Sequence, residues 1–235
     1  MLLLGIDTAT RRVGVVLASE HGLLARLELG GPPSTPPRHA EQLAPAIRHV
    51  TECAGVRLAH LSAVAVGTGP GMFTGLRVGV TTAKALAHAL RVPVIPVPSL
   101  DLLAYPLRHS RALVVPAIDA RRNECYFAFY RPVPGGVQRE SDYLLGSIDD
   151  LVGELDARGE EKLLCGDAAL AAAESLKEVD RVEIAGPAHA APSLSALAEL
   201  ALARYEREEF TSPGEVLPIY LRKSDAEIAW ERRSA

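Results

Sequence analysis

A glycine-rich turn constrains the fold of this 235-residue chain more than any other feature of its sequence. Four glycines and a proline fall within residues 67–77, between the apolar run 63–66 and a segment whose apolar residues recur at helical spacing from Leu76 to Leu90. Such a turn presents backbone N–H groups at the positive end of a helix dipole, where proteins bind phosphate. The same glycines could instead allow positive φ angles and a close approach of the helix to the sheet. The turn alone leaves both interpretations open.

Neither standard nucleotide-binding motif is present in this turn. A P-loop closes on Gly-Lys-Ser/Thr, whereas the nearest lysine, Lys84, lies well inside the following helical segment. The dinucleotide pattern GxGxxG fails because Met72 stands where the third glycine belongs. The turn therefore does not decide the function.

Composition limits the classes of function. The chain is 48% hydrophobic, enough for a substantial core, and its net charge of −4 excludes a broad basic face for strong unaided nucleic-acid binding. Four isolated basic pairs are expected to be solvated or to contribute to a shared site, and they lie at residues 11–12, 121–122, 222–223 and 232–233. Three widely spaced cysteines without CxxC predict neither disulfides nor a zinc site, which fits a reducing cytoplasm. The apolar start of the chain is expected to be a strand rather than a signal peptide or membrane span, because Asp7 interrupts it.

The first part of the chain predicts a mixed β-β-β-α-β-α-β unit. Three apolar or alternating runs, at residues 2–6, 13–18 and 23–29, indicate a meander of strands. A helix with Leu43, Ile47 and Val50 on one stripe follows the Gly/Pro-rich segment 30–37. The strand 63–66, the helix that runs to Leu90 and the strand 94–97 complete the unit.

The second part repeats this pattern in degraded form. In both parts an apolar strand ends in an aspartate, Asp7 or Asp119, and a second strand returns at once, here over residues 124–130. A helix from Ser147, a strand at 163–164, an alanine-rich helix at 168–176, a strand at 182–184 and a helix capped by Ser193 follow. We predict an α/β fold of two lobes, residues 1–102 and 103–235, with the last helix and tail packing back on the first lobe.

Two lobes whose first hairpin turns carry aspartates resemble the actin, Hsp70 and sugar-kinase (ASKHA) superfamily, in which these turns hold the phosphates of ATP and the aspartates govern magnesium. Glycine is needed there so that N–H groups can approach phosphate. This chain instead has Thr8 and Ala9 after Asp7, and Ala120-Arg121-Arg122 after Asp119. Asp7, Thr8, Thr10 and Asp119 are therefore predicted to be vestigial, and Asp7 to cap its own turn.

The sequence shows no metal or catalytic motif. A second ligand four residues after His39 would share its helix face, but that position is Leu43. The other histidines form no HxxxH or HExxH, and no GxSxG elbow marks a serine nucleophile. We predict no catalytic residue and no metal site.

Five collinear segments resemble the bacterial TsaB family, also called YeaZ, over nearly the whole chain. They are LLLGIDTAT (2–10), RHAEQLAPAI (38–47), GTGPGMFTGLRVGVTTAKALA (67–87), IDARRNECYFAFY (118–130) and PIYLR (218–222). The resemblance implies a cytoplasmic, non-catalytic partner in the threonylcarbamoyl modification of the adenosine beside the anticodon in tRNAs that read ANN codons.

The same resemblance implies the partners and where the cofactors lie. The chain would pair with TsaD, a related metal-binding transferase, and a third protein, the ATPase TsaE, would join them. The HxxxH metal box of TsaD begins where this chain has His39, and Leu43 replaces its second histidine. ATP or ADP and metal are expected on the partner subunits, and no cofactor is expected to bind tightly to this chain alone. We expect tRNA to be bound only through the complex. No membrane is expected to take part.

The resemblance implies that the two first-lobe helices form the partner surface, and these helices carry more small and apolar residues than one core stripe needs. The predicted interface consists of His39, Ala40, Leu43, Ala46, Ile47, Thr74, Gly75, Val78, Gly79 and Thr81. Alone, the chain is expected to form a homodimer through the same surface. A large residue at Gly75 or Gly79 is expected to separate the partners without unfolding the chain. The alternative is that these small residues only pack against their own sheet.

Two rival functions remain at this point. One is a phosphotransferase or metallopeptidase of the same superfamily that acts on its own, which requires bound ATP-Mg or metal. The other is a free-standing tRNA-binding module, which the charge balance does not favour.

Overall fold

The computed structural model describes residues 1–32 and 34–222, and the basic residues Lys223, Arg232 and Arg233 lie outside these ranges. The first part of the chain forms the predicted mixed sheet with two helices. Its elements are β1 (Leu2–Asp7), β2 (Val13–Ser19), β3 (Gly22–Leu29), α1 (His39–Cys53), β4 (Ala63–Gly67), α2 (Phe73–Leu90) and β5 (Val94–Val97). The strand order is β3-β2-β1-β4-β5, with β1, β2 and β3 antiparallel and β4 and β5 parallel to β1.

The second part contains a second sheet with more elements than the sequence indicated. They are α3 (Ser99–Ala104), β6 (Leu113–Arg121), β7 (Glu124–Phe127), β8 (Tyr130–Val133), β9 (Gly136–Arg139), β10 (Leu144–Ser147), α4 (Ile148–Asp156), β11 (Lys162–Cys165), α5 (Asp167–Ala171), α6 (Ala173–Leu176), β12 (Val182–Ile184) and α7 (Leu194–Glu206). The main strand order is β10-β7-β6-β11-β12, and β8 pairs with β6 and β9.

The two sheets share one topology, as the repeated sequence pattern predicted. In each, three antiparallel strands are followed by two strands parallel to the central one. In each, the first hairpin turn follows an aspartate at or near the end of the central strand, Asp7 on β1 and Asp119 on β6. This is the predicted α/β fold of the actin, Hsp70 and sugar-kinase class.

Three details of the second part differ from the sequence-based prediction. The single strand expected over residues 124–130 is two strands, β7 and β8, which pair with different neighbours. The alanine-rich helix is split into α5 and α6 at Ala172, whose φ of −91° and ψ of 10° are not helical. Helix α3 was missed because it is only six residues long and buries five of them, so it shows no amphipathic stripe.

Helix α3 packs against both sheets, and α7 packs against the first sheet and α3. Although α7 comes late in the chain, its Leu194 and Leu197 pack in one cluster with Leu3 and Val16 of the first sheet. In α3, Leu102 joins this cluster while Leu100 and Leu103 pack against the second sheet. The predicted boundary at residue 102 therefore falls inside α3, and the division into two domains stays a prediction.

A part-buried polar cluster joins α3 to the second sheet and to α7. The hydroxyl of Tyr130 on β8 donates to Asp101 Oδ1 at 2.7 Å, and that of Tyr143 donates to the same oxygen at 3.2 Å. Arg204 of α7 lies 3.9 Å from Asp101 Oδ2. Burial raises the pKa of Asp101, and these three partners partly offset that effect.

Within the described ranges, the helices lack the combination of length and apolar character that crossing a bilayer requires.

Candidate functional site

The first hairpin turn, residues 7–12 between β1 and β2, is the place where this fold class binds phosphate. Asp7, Thr8, Ala9 and Thr10 are all buried. Asp7 Oδ1 accepts the N–H of Ala9 at 3.1 Å, and Asp7 Oδ2 accepts the hydroxyl of Ser99 at 2.8 Å. Asp7 thus caps its own turn, as the sequence predicted.

The first hairpin turn is hydrogen-bonded to the start of α2. The Thr8 hydroxyl donates to the Gly75 carbonyl at 2.7 Å. The N–H of Met72 donates to the Ala9 carbonyl at 2.7 Å. These two bonds join residues more than 60 positions apart in the sequence and hold the turn down on the helix.

A row of glycines four residues apart makes this contact possible. A Cβ atom at Gly67 would lie 1.8 Å from Asp7 Oδ2, and one at Gly71 would lie 2.3 Å from the Ala9 carbonyl oxygen. At Gly75 and Gly79 it would lie 2.1 Å from the Thr8 carbonyl oxygen and 2.2 Å from Thr8 Oγ1. Every one of these distances is far below van der Waals contact. Of the two interpretations of the glycine-rich turn, the close approach is the one the structure shows.

The first hairpin turn does not fit the phosphates of a nucleotide. Phosphate binding needs unpaired N–H groups and open space at such a turn. Here the N–H of Ala9 is taken by Asp7, the Thr8 hydroxyl is taken by Gly75, and the Ala9 methyl group lies against Gly71. These polar groups of the turn are therefore occupied by contacts within the chain itself.

Burial also changes the chemistry of Asp7. Desolvation raises its pKa to about 6, although the hydrogen bonds from Ser99 and Ala9 oppose the shift. Both oxygens of this carboxyl group are hydrogen-bonded within the chain.

His39, the first residue of α1, packs against the other side of the same contact. Its Nε2 lies 2.8 Å from the Thr10 carbonyl oxygen, and its ring carbon would lie 3.1 Å from a Cβ at Gly75. Burial lowers the pKa of His39, so the neutral ring donates its proton to Thr10. Leu43, one turn later, lies in the hydrophobic core. Among the described residues, no three His, Cys, Asp or Glu side chains converge as a metal site would need.

The second hairpin turn has a different geometry. Asp119, which is exposed, accepts the N–H of Arg121 at 2.7 Å, and its own N–H donates to Asp167 Oδ1 at 2.9 Å. Arg121, Arg122 and Asn123 have φ angles of 64°, 56° and 62°, a left-handed run that non-glycine residues rarely adopt. Burial raises the pKa of Asp167.

A cleft of about 340 Å³ separates the second hairpin turn from the start of α2. The start of α2, the second hairpin turn, Tyr126 and segment 219–222 contribute the lining residues. Residues 7–12 do not line the cleft. The lining includes four arginines and one aspartate, namely Arg77, Arg121, Arg122, Arg222 and Asp119.

The structure divides the predicted partner interface into exposed and buried residues. Ala40, Thr74 and Thr81 are exposed and Val78 is half-buried. The remaining six are buried within the chain itself, and they are His39, Leu43, Ala46, Ile47, Gly75 and Gly79. The alternative that small residues pack internally therefore holds for the two glycines.

One sequence-based expectation is wrong. A large residue at Gly75 or Gly79 would collide with Thr8 of the same chain. The substitution would therefore disturb the packing of the chain itself and not only its contact with a partner. The signal that could have shown this is the four-residue spacing of the glycines, which marks one tightly packed helix face. Ser99, the partner of Asp7, carried no sequence signal because it lies 92 residues away.

A matched pair of glycine-to-alanine variants tests the contact between the first hairpin turn and α2. Gly75→Ala should lower the free energy of unfolding by about 1–3 kcal/mol, because its Cβ meets a backbone oxygen in a packed core. Gly153→Ala, in α4, meets nothing within 4 Å and should raise it by about 0.5–1 kcal/mol. Urea unfolding measures both. Equal effects of the two substitutions would show that the row of glycines is not tightly packed.

The raised pKa of Asp7 predicts a pH dependence of stability. Between its unfolded pKa near 3.8 and its folded pKa of about 6, the folded chain holds a proton that the unfolded chain releases, so stability falls as pH rises. Asp7→Asn removes this titration. Its free energy of unfolding relative to the parent should rise by about 2–3 kcal/mol from pH 4 to pH 7. Asp156→Asn, at an exposed position, controls for the lost charge. A difference that stays constant with pH would contradict the burial of Asp7.

Comparison with known proteins identifies the family of this chain. The family model described as "TsaD: tRNA N6-adenosine threonylcarbamoyltransferase" matches residues 30–230. The chain is 30% identical to "tRNA threonylcarbamoyladenosine biosynthesis protein TsaB" of Haemophilus influenzae, over 99% of this chain and 97% of the relative. It is 29% identical to the protein of the same name from Bacillus subtilis, over 98% of each.

Solved structures give the same result. YeaZ from Pseudomonas aeruginosa superimposes with a TM-score of 0.78 at 28% identity, covering 94% of this chain and 99% of that one. The ethanolamine utilization protein EutJ from Carboxydothermus hydrogenoformans shares the fold alone, with a TM-score of 0.51 at 11% identity over 86% and 90% of the two chains. From its sequence, its two matching sheets and these likenesses, the chain belongs to the TsaB/YeaZ family, which is named for tRNA threonylcarbamoyladenosine biosynthesis.

Proposed function

We propose that this chain is the non-catalytic subunit of the complex that transfers a threonylcarbamoyl group to the adenosine next to the anticodon of tRNAs reading ANN codons. One observation supports the proposal: the first hairpin turn is hydrogen-bonded to α2, so that its own polar groups are occupied within the chain. A chain with this turn occupied contributes to the reaction through its outer surface and its partners.

The partner is a TsaD-like transferase, paired through the exposed side of α1 and α2. Small residues are exposed there on both helices, namely Ala40, Ala44, Thr74, Thr81 and Ala85. Such residues allow the backbone of a second pair of helices to approach closely. The likeness between this chain and the transferase family supports a pseudo-symmetric pairing of related helices. In the absence of the transferase, the same surface forms a homodimer.

The cofactors and the other partners follow from this assignment of the chain as a non-catalytic subunit. ATP or ADP and the metal ion belong to the transferase and to a TsaE-like ATPase that completes the complex. The net charge of −4 supports contact with tRNA through the assembled complex rather than by this chain alone. The place of action is the cytoplasm, where tRNA is modified. No contact in the first hairpin turn favours a phosphotransferase or metallopeptidase activity of the isolated chain.

The direct test is depletion of the protein in cells, followed by mass spectrometry of tRNA nucleosides. Threonylcarbamoyladenosine should fall as the chain is lost and return with a plasmid-borne copy. Unchanged levels of the modified nucleoside after full depletion would remove the proposed function. The purified chain should also show no metal-dependent turnover of ATP.

The exposed helix surface makes a separate prediction. Ala44→Arg places a long charged side chain on the exposed side of α1 and should abolish pairing with the transferase while the chain stays folded. Ala171→Arg makes the same change at an exposed alanine of α5, far along the chain, and should leave pairing intact. Size-exclusion chromatography of the mixed proteins measures both. Pairing that survives Ala44→Arg would place the partner elsewhere.

A further inference from the structure

A histidine and a cysteine share one exposed face at the end of α1. His49 and Cys53 are four residues apart, and Cys53 is the last residue of the helix. Both residues are exposed, and Cys53 Sγ lies 3.6 Å from His49 Nε2. The pair forms neither CxxC nor HxxxH, which is why those motifs did not reveal it.

The separation of the two side chains fits two ligands of one zinc ion. Bonds of about 2.3 Å to sulfur and about 2.0–2.1 Å to nitrogen, at a tetrahedral angle, place these two atoms about 3.6 Å apart. Residues four positions apart lie on the same side of a helix, so the backbone of α1 already holds both ligands on one side. Thiolate and imidazole are also ligands that zinc prefers.

The charges at this end of α1 favour a cation. The last turn of the helix carries no basic residue that would offset the negative end of the helix dipole. Glu52, which is exposed and precedes Cys53, adds a further negative charge. The surroundings of the pair would therefore stabilise a bound metal ion in addition to its two ligands.

Cys53 is the cysteine of this chain that is available to a metal ion. The chain has three cysteines, and the other two, Cys125 and Cys165, are buried. Burial raises the pKa of Cys125 to about 12, which keeps that group a thiol. Cys53 is exposed, so it can release its proton to solvent when a metal ion binds.

One chain supplies only two of the four ligands that a closed zinc site needs. Within the described ranges, no third His, Cys, Asp or Glu side chain joins His49 and Cys53 to form a metal site. Two copies related by a two-fold axis present the same pair twice. Together they provide two cysteines and two histidines, which is the ligand set of many tetrahedral structural zinc sites.

We propose that His49 and Cys53 form half of a zinc site that a second copy of this chain completes. Without the metal, the negative ends of two α1 helices and two Glu52 side chains repel each other, so this association requires the ion. Ala44 lies about 140° around α1 from His49. The zinc-linked contact is therefore on a different side of the helix from the surface proposed for the transferase, and it does not rest on that proposal.

The test measures the oligomeric state of the purified chain with and without Zn²⁺ by analytical ultracentrifugation, with a phosphine reductant present to keep Cys53 reduced. Every sample carries Ala44→Arg, which removes the separate homodimer proposed for the helix surface. In this background Cys53→Ser and His49→Gln each remove one ligand. His88→Gln is the matched control, because His88 is an exposed histidine in the last turn of α2 and is followed four residues later by Val92.

Zinc should bind at about one ion per two chains and lower the dissociation constant of the dimer about tenfold or more. A chelator should reverse the effect. Cys53→Ser and His49→Gln should each abolish it, whereas His88→Gln should leave it unchanged. Co²⁺ in place of zinc should give the visible absorption of a tetrahedral, thiolate-bound cobalt ion, and Cys53→Ser should remove that absorption.

Zinc bound at one ion per chain without dimerisation, or dimerisation that survives both Cys53→Ser and His49→Gln, would overturn the proposal. A dimer that forms only when the reductant is left out, and not with zinc, would replace the metal with a disulfide between two copies of Cys53. A dimer of Ala44→Arg in the absence of zinc would count against the homodimer given under the proposed function. The bound metal per chain and the comparison with Cys53→Ser would still decide the zinc site.

Discussion

The contact between the first hairpin turn and the row of glycines determines how the rest of this protein can work. Two hydrogen bonds, from Thr8 to Gly75 and from Met72 to Ala9, hold the turn on α2. They form only because no side chain stands between the two backbones. In a kinase-like relative of the same fold class the corresponding turn must stay open for phosphate. Here the same turn is buried and hydrogen-bonded to α2.

This contact is the reason why we propose that the remaining surface carries the function. His39 and Leu43 at the start of α1 are packed within the chain, and Asp7 is a buried carboxyl group. What α1 and α2 still present outward is a set of small residues on two adjacent helices. Helix α7 and Leu102 of α3 pack against the first sheet in a separate cluster, and the polar cluster at Asp101 joins α3 to β8 and α7.

Sequence patterns predicted the first sheet well because its strands are apolar runs bounded by turn residues and its two long helices carry apolar residues at helical spacing. The second sheet was harder, since residues 125–130 are buried without a break and alternation cannot show where β7 ends and β8 begins. The small residues of α2 indicated a tightly packed helix face, but they did not indicate which neighbour packs against it. That neighbour, Thr8, and the Ser99 partner of Asp7 lie far away in sequence, and only the tertiary structure brings them together.

The central claim is that the first hairpin turn is a structural element and takes no part in the chemistry. The most direct measurement is the rate of tRNA modification by a complex reconstituted from this chain, the transferase and the ATPase, with Asp7→Asn replacing the parent chain at pH 7. Size-exclusion chromatography would first confirm that the variant pairs with the transferase. The account predicts the same rate for both complexes. A loss of about 100-fold or more in an assembled complex, as expected for removal of a catalytic acid or base, would contradict it.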